Sequence, residues 1–433
     1  MKKTNFFISL LLCIFLISSI FPVYAEDNCY KSVDKERFIV KYKDDISNIE
    51  KQEIRTKYNK SNVSFKDLDE GLELWELDNG DDSITEIQKN PAIEFVQPDY
   101  KLAIYNENQG TVPSDLYFSY QWGLSNTGQT IGITGTPGVD IDATRAWQFT
   151  KGDSSVVVGV LDSGIDINHP DIKDNIYINM DEVPDNGVDD DNNGYIDDIN
   201  GWDFYNKDKM VYDEFYEDIH GTLVSGIIAA TSDTQGMCGV APNIKILPLK
   251  FMSTIDGGYT SDAINAIKYA KSMGVKIINC SWTERNYNKA LKVAMQKSKI
   301  LFICAAGNYG LDVEVTPFYP ACFNIPNVIS VGAIDNQGKL ASFSNFGTDV
   351  DVLAPGVNIL SIIPDGGYLI SGGTSLAAPF VTGIAALAQS LDRDIKENKL
   401  SKIIKKCVVR DDTYPVRTKG RVNAYNVLED IIN

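Results

Sequence analysis

The 433-residue chain holds two histidines, His169 and His220. Imidazole-dependent chemistry must use one of them. Three glycine-flanked segments carry the other residue types such chemistry needs. Val160-Leu161-Asp162-Ser163-Gly164 puts an acid at the carboxyl end of an apolar run, where an ionised Asp is rarely left without a partner. His220-Gly221-Thr222-Leu223-Val224-Ser225-Gly226 reads as a His opening a small-residue helix. Gly372-Gly373-Thr374-Ser375-Leu376-Ala377-Ala378-Pro379 puts a Ser at a loop-to-helix junction. Pro379 reads as tolerated in a first turn, where amides lack an intrahelical partner. A serine hydroxyl is a weak nucleophile until a base takes its proton. A neutral imidazole can do so, and a carboxylate on its other nitrogen fixes the tautomer and stabilises the imidazolium. The helix N-terminus and the Ser375 N–H favour developing negative charge. Asn308, closing Cys304-Ala305-Ala306-Gly307-Asn308, offers a second oxyanion donor.

A second chemistry sits in residues 181–218, which hold 14 acids and 2 bases, −12 of the formal net charge of −19. Within it, Asp189, Asp191 and Asn193 fall at positions 1, 3 and 5 of an EF-hand-like loop, with Gly194 at 6, Tyr195 at the main-chain position 7 and Asp197 at 9. Hard oxygens at that spacing suit Ca²⁺. Position 12 is Asn200 rather than Glu, so the bidentate ligand is missing. A calcium ion with a structural role is expected.

The elements that must position these residues follow from periodicity. Apolar runs at Val156–Leu161, Ile244–Leu249, Val275–Asn279, Leu301–Ala305 and Val328–Val331 alternate with helical segments at His220–Ala230, Ser261–Ser272, Tyr287–Ser298 and Ser375–Leu391. Continuous apolar strands between helices imply an α/β fold, a mostly parallel twisted sheet covered on both faces. Function in such sheets collects at the carboxyl ends of the strands. Ahead of this part, residues 34–104 alternate as β-α-β-β-α-β, a small α+β, ferredoxin-like pattern. Its strands are Arg37 to Tyr42, Val63 to Phe65, Leu72 to Leu77 and Ile93 to Gln97, and its helices Ile46 to Tyr58 and Ser83 to Lys89. Residues 105–118 read as a linker. At the start, Lys2 and Lys3 precede an apolar run from Phe6 to Ile20 and then Val23-Tyr24-Ala25. That is the pattern of a signal peptide, residues 1–25, and implies secretion. No later segment reads as a membrane span, so stable membrane insertion is not expected. A pI near 4.6 argues against nucleic acid as a partner, since phosphate binding needs clustered Lys and Arg. Cys238, Cys280, Cys304, Cys322 and Cys407 read as small buried hydrophobes rather than disulfides or ligands.

In this order and with these flanks, the Asp, His and Ser segments resemble the subtilisin-like serine proteases, the subtilases. Gln121-Trp122-Gly123-Leu124 resembles the start of the family's mature enzyme, and Gly420-Arg421-Val422-Asn423-Ala424 its end. The resemblance implies a serine endopeptidase with Asp162, His220 and Ser375 as triad, Asn308 in the oxyanion hole and polypeptides as substrates. It implies an inhibitory propeptide over residues 26–106, acting as intramolecular partner, and a catalytic domain over 107–433. His169 matches a family His that is not the base. Gly257-Gly258-Tyr259 resembles one substrate-pairing edge. Ser281-Trp282-Thr283 stands at the other, beside Gly307, where the family usually has Ser-Leu-Gly. Thr283 therefore reshapes the primary pocket. Leu223 stands where the family usually has a second His. Asp171 and the loop near Asp233 align with a family calcium position. The alternative is a subtilase-fold binding or signalling scaffold with little turnover, which Leu223 and the altered pocket motivate and an intact triad opposes.

Overall fold

The computed structural model describes residues 36–43, 45–58, 64–69, 71–77, 87–99 and 112–433. The signal-peptide reading, most of the helix expected over Ser83 to Lys89, and residues 105–111 of the linker lie outside the described residues. The chain forms two compact units, Met1–Ile104 and Tyr105–Asn433.

In the first unit, β1 (Glu36–Tyr42), α1 (Asn48–Tyr58), β2 (Ser64–Asp69), β3 (Leu72–Leu77) and β4 (Ile93–Pro98) build one sheet of order β2-β3-β1-β4, with every pair antiparallel. That is the strand order of a split β-α-β arrangement. Phe38, Val40 and Tyr42 alternate inward from β1 and pack with Ile54, Trp75, Ile87 and Ile93. Glu73 shares the inward face of β3 with Trp75 and is 1% exposed. Arg55 at 2.7 Å, the Tyr42 hydroxyl at 3.1 Å and the Trp75 indole at 3.0 Å satisfy its carboxylate. A buried carboxylate needs such partners.

The second unit is built on a nine-stranded sheet. Its strands are β5 (Val157–Asp162), β6 (Trp202–Asp203), β7 (Lys245–Lys250), β8 (Ile277–Cys280), β9 (Leu301–Ala305), β10 (Val328–Ile334) and β11 (Val352–Pro355), closed by two short strands, Val409–Arg410 and Gly420–Arg421. The order from that short pair inward is β11-β10-β9-β8-β5-β7-β6, all parallel. Successive side chains of these strands enter two different cores. Val158, Val160, Ile277, Leu301 and Ile303 join one, and Leu161, Leu249, Ile278, Phe302 and Cys304 the other. Period-two alternation with both faces buried is why the strands read as unbroken apolar runs. The longer helices are α2 (Phe215–Ala229), α3 (Thr260–Ser272), α4 (Lys289–Ser298), α5 (Thr374–Leu391), α6 (Glu397–Lys406) and α7 (Ala424–Ile432). α2 and α5 cover the first core, α3 and α4 the second.

Two sequence expectations need correction. α2 starts at Phe215, so His220 lies in its second turn instead of opening it. The Asp218 carboxylate reaches back to accept from the Asp213 and Glu214 N–H groups at 2.6 and 3.3 Å, which anchors the earlier start. Pro379 is the sixth helical residue of α5, not a first-turn one. α5 is also long and apolar enough to cross a membrane, yet every residue from Leu376 to Gln389 is buried in the protein core. Cys238, Cys280, Cys304 and Cys322 are buried, Cys407 is partly so, and all five are free thiols.

Candidate active site and acidic loop

Asp162 ends β5 and is 1% exposed. Its Oδ1 lies 2.7 Å from His220 Nδ1 and also accepts the Ser163 N–H at 2.8 Å. Against an ionised carboxylate, Nδ1 carries the proton, which leaves Nε2 as the free lone pair a base requires. Glycines permit this approach. A Cβ on Gly221 would sit 2.1 Å from the Gly164 carbonyl oxygen, and Gly164 itself has φ +126°. No L side chain fits at that crossing of β5 and α2. The Gly221 N–H adds a bond to Ser163 Oγ at 3.1 Å. Burial opposes protonation of the His220 ring, but the charge and hydrogen bond of Asp162 outweigh it and raise the pKa above the ordinary imidazole value.

Ser375 is the second residue of α5. Its N–H is among the first amides of the helix, which have no intrahelical acceptor. Asn308 follows β9. Its Oδ1 accepts from both the N–H and the Oγ1 of Thr374, each at 2.8 Å. With the oxygen so occupied, the amide's Nδ2 is turned toward Ser375. A Cβ added to Gly373 would meet Ser375 Oγ at 3.0 Å, Asn308 Nδ2 at 3.3 Å and Ser375 N at 3.7 Å. Alcohol and both donors thus face one small volume that only a glycine leaves open. Among the described residues, no hydrogen bond joins Ser375 Oγ to His220 Nε2. Catalytic hydrogen bonds commonly tighten only when substrate is bound.

Pro379 explains a further contact that sequence reading missed. A helical N–H at 379 would donate to the Ser375 carbonyl, and proline has none. The Ser281 hydroxyl takes that carbonyl instead, at 2.7 Å. Asn279 Nδ2 donates to Ser281 Oγ, and the Thr382 hydroxyl to Asn279 Oδ1, both at 2.8 Å. A buried chain of bonds therefore ties the tail of β8 to the turn bearing Ser375.

The other residues expected to pair with substrate follow the carboxyl ends of β7, β8 and β9. Trp282 donates its indole N–H to the Leu161 carbonyl at 3.0 Å and packs on Phe251 at 5.1 Å between ring centroids. Thr283 is half-buried. Gly257–Gly258 pairs antiparallel with Met252–Ser253, and Tyr259 beside it is 75% exposed. Gly307 donates its N–H to Thr374 Oγ1 at 3.0 Å. His169 is fully buried. Its Nδ1 faces the Asp171 N–H and its Nε2 the Gly367 carbonyl, both at 3.1 Å. Burial lowers its pKa, so the ring is a neutral structural strut. Leu223 packs into the core over α2.

The acidic loop brings together a different set from the one its spacing suggested. Carboxylate oxygens of Glu182, Asp189 and Asp191 lie within 4.8 Å of one another, an acidic group that could hold a metal ion. Three hard carboxylates fit a divalent cation such as Ca²⁺. Asp197 turns away, accepting from the Asn186 and Gly187 N–H groups and pairing with Lys209 at 3.2 Å. Lys209 opposes burial and lowers the Asp197 pKa together with those N–H donors. Glu182, seven residues ahead of the loop template, takes its place. Asn193 Oδ1 accepts from the Tyr195 N–H at 2.8 Å, and the Tyr195 ring packs among Trp202, Phe204 and Tyr269. Near the second expected position, burial, with help from the charges of Asp233 and Asp115, pushes the Asp171 carboxyl up to about 6.

Similarity to known proteins agrees with this fold. The pattern of the Subtilase family matches residues 153–423. A thermophilic serine proteinase of Bacillus sp. (strain AK1) is 32% identical over 398 residues, covering 90% of this chain and 86% of its own length. Subtilisin NAT of Bacillus subtilis subsp. natto is 31% identical over 399 residues, covering 90% of each. Among solved structures, a protease from Pseudoalteromonas arctica superposes with a TM-score of 0.58 at 25% identity, covering 74% of this chain and all of that one.

Proposed function

The chain belongs to the subtilase family and is a serine endopeptidase, and on that premise we propose that Asp162, His220, Ser375 and Asn308 carry the reaction. His220 Nε2 takes the Ser375 proton as Oγ bonds to the peptide carbonyl carbon. The oxyanion so formed accepts from the Ser375 N–H and Asn308 Nδ2. His220 then gives its proton to the leaving amine nitrogen, the C–N bond breaks, and water repeats the sequence on the acyl-enzyme. The observation that carries this reading is the 2.7 Å bond from Asp162 to His220, together with two free donors around Ser375 Oγ. An extended polypeptide would run between Gly257-Gly258-Tyr259 and Ser281-Trp282-Thr283 beside Gly307, adding its backbone to both edges.

The product of translation is a secreted precursor in this reading. Residues 1–25 are the signal peptide, 26–106 an inhibitory propeptide and 107–433 the catalytic domain. Autocleavage falls within residues 100–118. The four-stranded unit, with its own core around Trp75, supports a separately folded propeptide. Glu182, Asp189 and Asp191 would hold a calcium ion, with Asn193 and the Tyr195 carbonyl beside them. The ion would neutralise their mutual repulsion and hold the loop. Ser375→Ala in the full chain should accumulate uncut precursor, and normal maturation of that variant refutes the assignment. Labelling of Ser375 by a fluorophosphonate separates the enzyme from a non-catalytic scaffold.

A further inference from the structure

Lys250 ends β7, and its side chain is 0% exposed. A lysine is almost never buried so completely without partners. Its Nζ meets carboxylates from three different segments. Asp218 of α2 lies at 2.8 Å through Oδ1 and 3.0 Å through Oδ2. Asp213, just ahead of that helix, is bonded to it. Asp203 of β6 lies at 3.6 Å. The main chain of Lys250 is held as well. Its carbonyl accepts from the Phe204 N–H at 2.6 Å, and Lys250 stands in register with Asp162 across β5. The next residue, Phe251, donates its N–H to the Asp162 carbonyl at 3.1 Å.

A single ammonium therefore joins the strand beside Asp162 to the helix two residues ahead of His220. Desolvation makes such a cluster a poor source of stability. An apolar side chain of similar volume often serves as well or better. What a charge adds here is direction. Asp218 binds Lys250, accepts the Asp213 and Glu214 N–H groups, and lies against Gly164, where a Cβ would sit 2.5 Å from Asp218 Oδ1. Those contacts fix the first turn of α2 along its axis and about it.

We propose that Lys250 is a positioning residue for peptide hydrolysis: through Asp218 it sets α2 against β5 and so holds His220 on Asp162. This rests on His220 acting as the base. A shift of about 1 Å in a reacting group costs on the order of 100-fold in rate. Lys250→Met in the full chain, assayed on a chromogenic peptide, should therefore lower kcat by about 10- to 100-fold. KM should stay within about twofold, because Lys250, Asp203, Asp213 and Asp218 are not among the residues proposed to pair with substrate. In a Ser375→Ala background, the deshielded proton resonance of His220 Nδ1–H should broaden or vanish on adding Lys250→Met. If Lys250→Met does not accumulate as folded protein, Asp218→Asn, which keeps the shape and removes one charge of the pair, should show the same kcat loss and the same spectral change. A lowered melting temperature with kcat and the resonance unchanged would overturn the proposal. Fluorophosphonate labelling of the parent chain is the separate control: its absence would sink the catalytic reading itself rather than the role of Lys250.

Discussion

Removing the side chain of Asn308 tests the oxyanion site at its most exposed point. Among the described residues, the Nδ2 that faces Ser375 Oγ donates no hydrogen bond, while Thr374 occupies the amide oxygen. In the proposed reaction its bond forms when the substrate carbonyl oxygen becomes an oxyanion. Loss of such a donor in subtilisin-type sites costs ~2.7–4 kcal/mol of barrier. At about 1.4 kcal/mol per tenfold, Asn308→Ala should lower kcat by roughly 100- to 1,000-fold. Thr374→Val is a graded companion. It keeps the N–H that holds Asn308 Oδ1 and removes the hydroxyl that also does so at 2.8 Å. The same hydroxyl accepts the Gly307 N–H at 3.0 Å, so two neutral hydrogen bonds are lost; at about 0.5–1.5 kcal/mol each, kcat should fall by about 5- to 160-fold. Both variants should leave KM near the parent value, because the ground-state carbonyl does not use the donor. Steady-state kinetics on a chromogenic peptide, with active enzyme counted by fluorophosphonate titration, reads both parameters. The reasoning fails if Asn308→Ala raises KM at constant kcat. It also fails if Thr374→Val costs more than Asn308→Ala, since the threonine would then be acting by some route other than aiming the amide.

The pH profile carries the imprint of Asp162. His220 must be neutral to accept a proton, so kcat/KM should rise with pH through a midpoint above the ordinary imidazole value of 6.5. Asp162→Asn removes the charge that raises it and leaves burial to lower it, so that midpoint should move to lower pH while kcat drops by about 10⁴-fold. A limb that does not move would detach the carboxylate from the titration. For the acidic loop, a chelator should lower the melting temperature of the mature enzyme and added Ca²⁺ should restore it, since an ion that binds only the folded state stabilises it. Glu182→Gln combined with Asp189→Asn should abolish that chelator response; a melting curve indifferent to chelation in the parent would remove the metal from the loop.

Much of the fold was legible because each central strand is buried on both faces, and the apolar runs announce themselves without help from long-range contacts. Leu301–Ala305 matches its expected bounds, and β5 and β7 differ from theirs by one residue. That one residue matters at β5, since it puts Asp162 inside the strand. Local pattern failed where a distant or polar partner decides. The start of α2 depends on a carboxylate reaching back from Asp218. Pro379 looks like a first-turn proline until the true start of α5 is known. In the acidic loop, an EF-hand template reads forward from Asp189 and has no place for Glu182, whose approach depends on how the preceding turn folds back. Lys250 ends an apolar strand like any solvated terminal lysine. Its burial follows from three acids 32 to 47 residues earlier in the chain.

One ring in the second turn of α5 has a mechanical outcome. With no hydrogen to give at 379, the carbonyl of Ser375 is surrendered to a hydroxyl from outside the helix. The first turn of α5 and the segment after Cys280 are consequently parts of one lever. A push on the segment after Cys280 is handed through that bond to the turn that carries Ser375, so the two shift together.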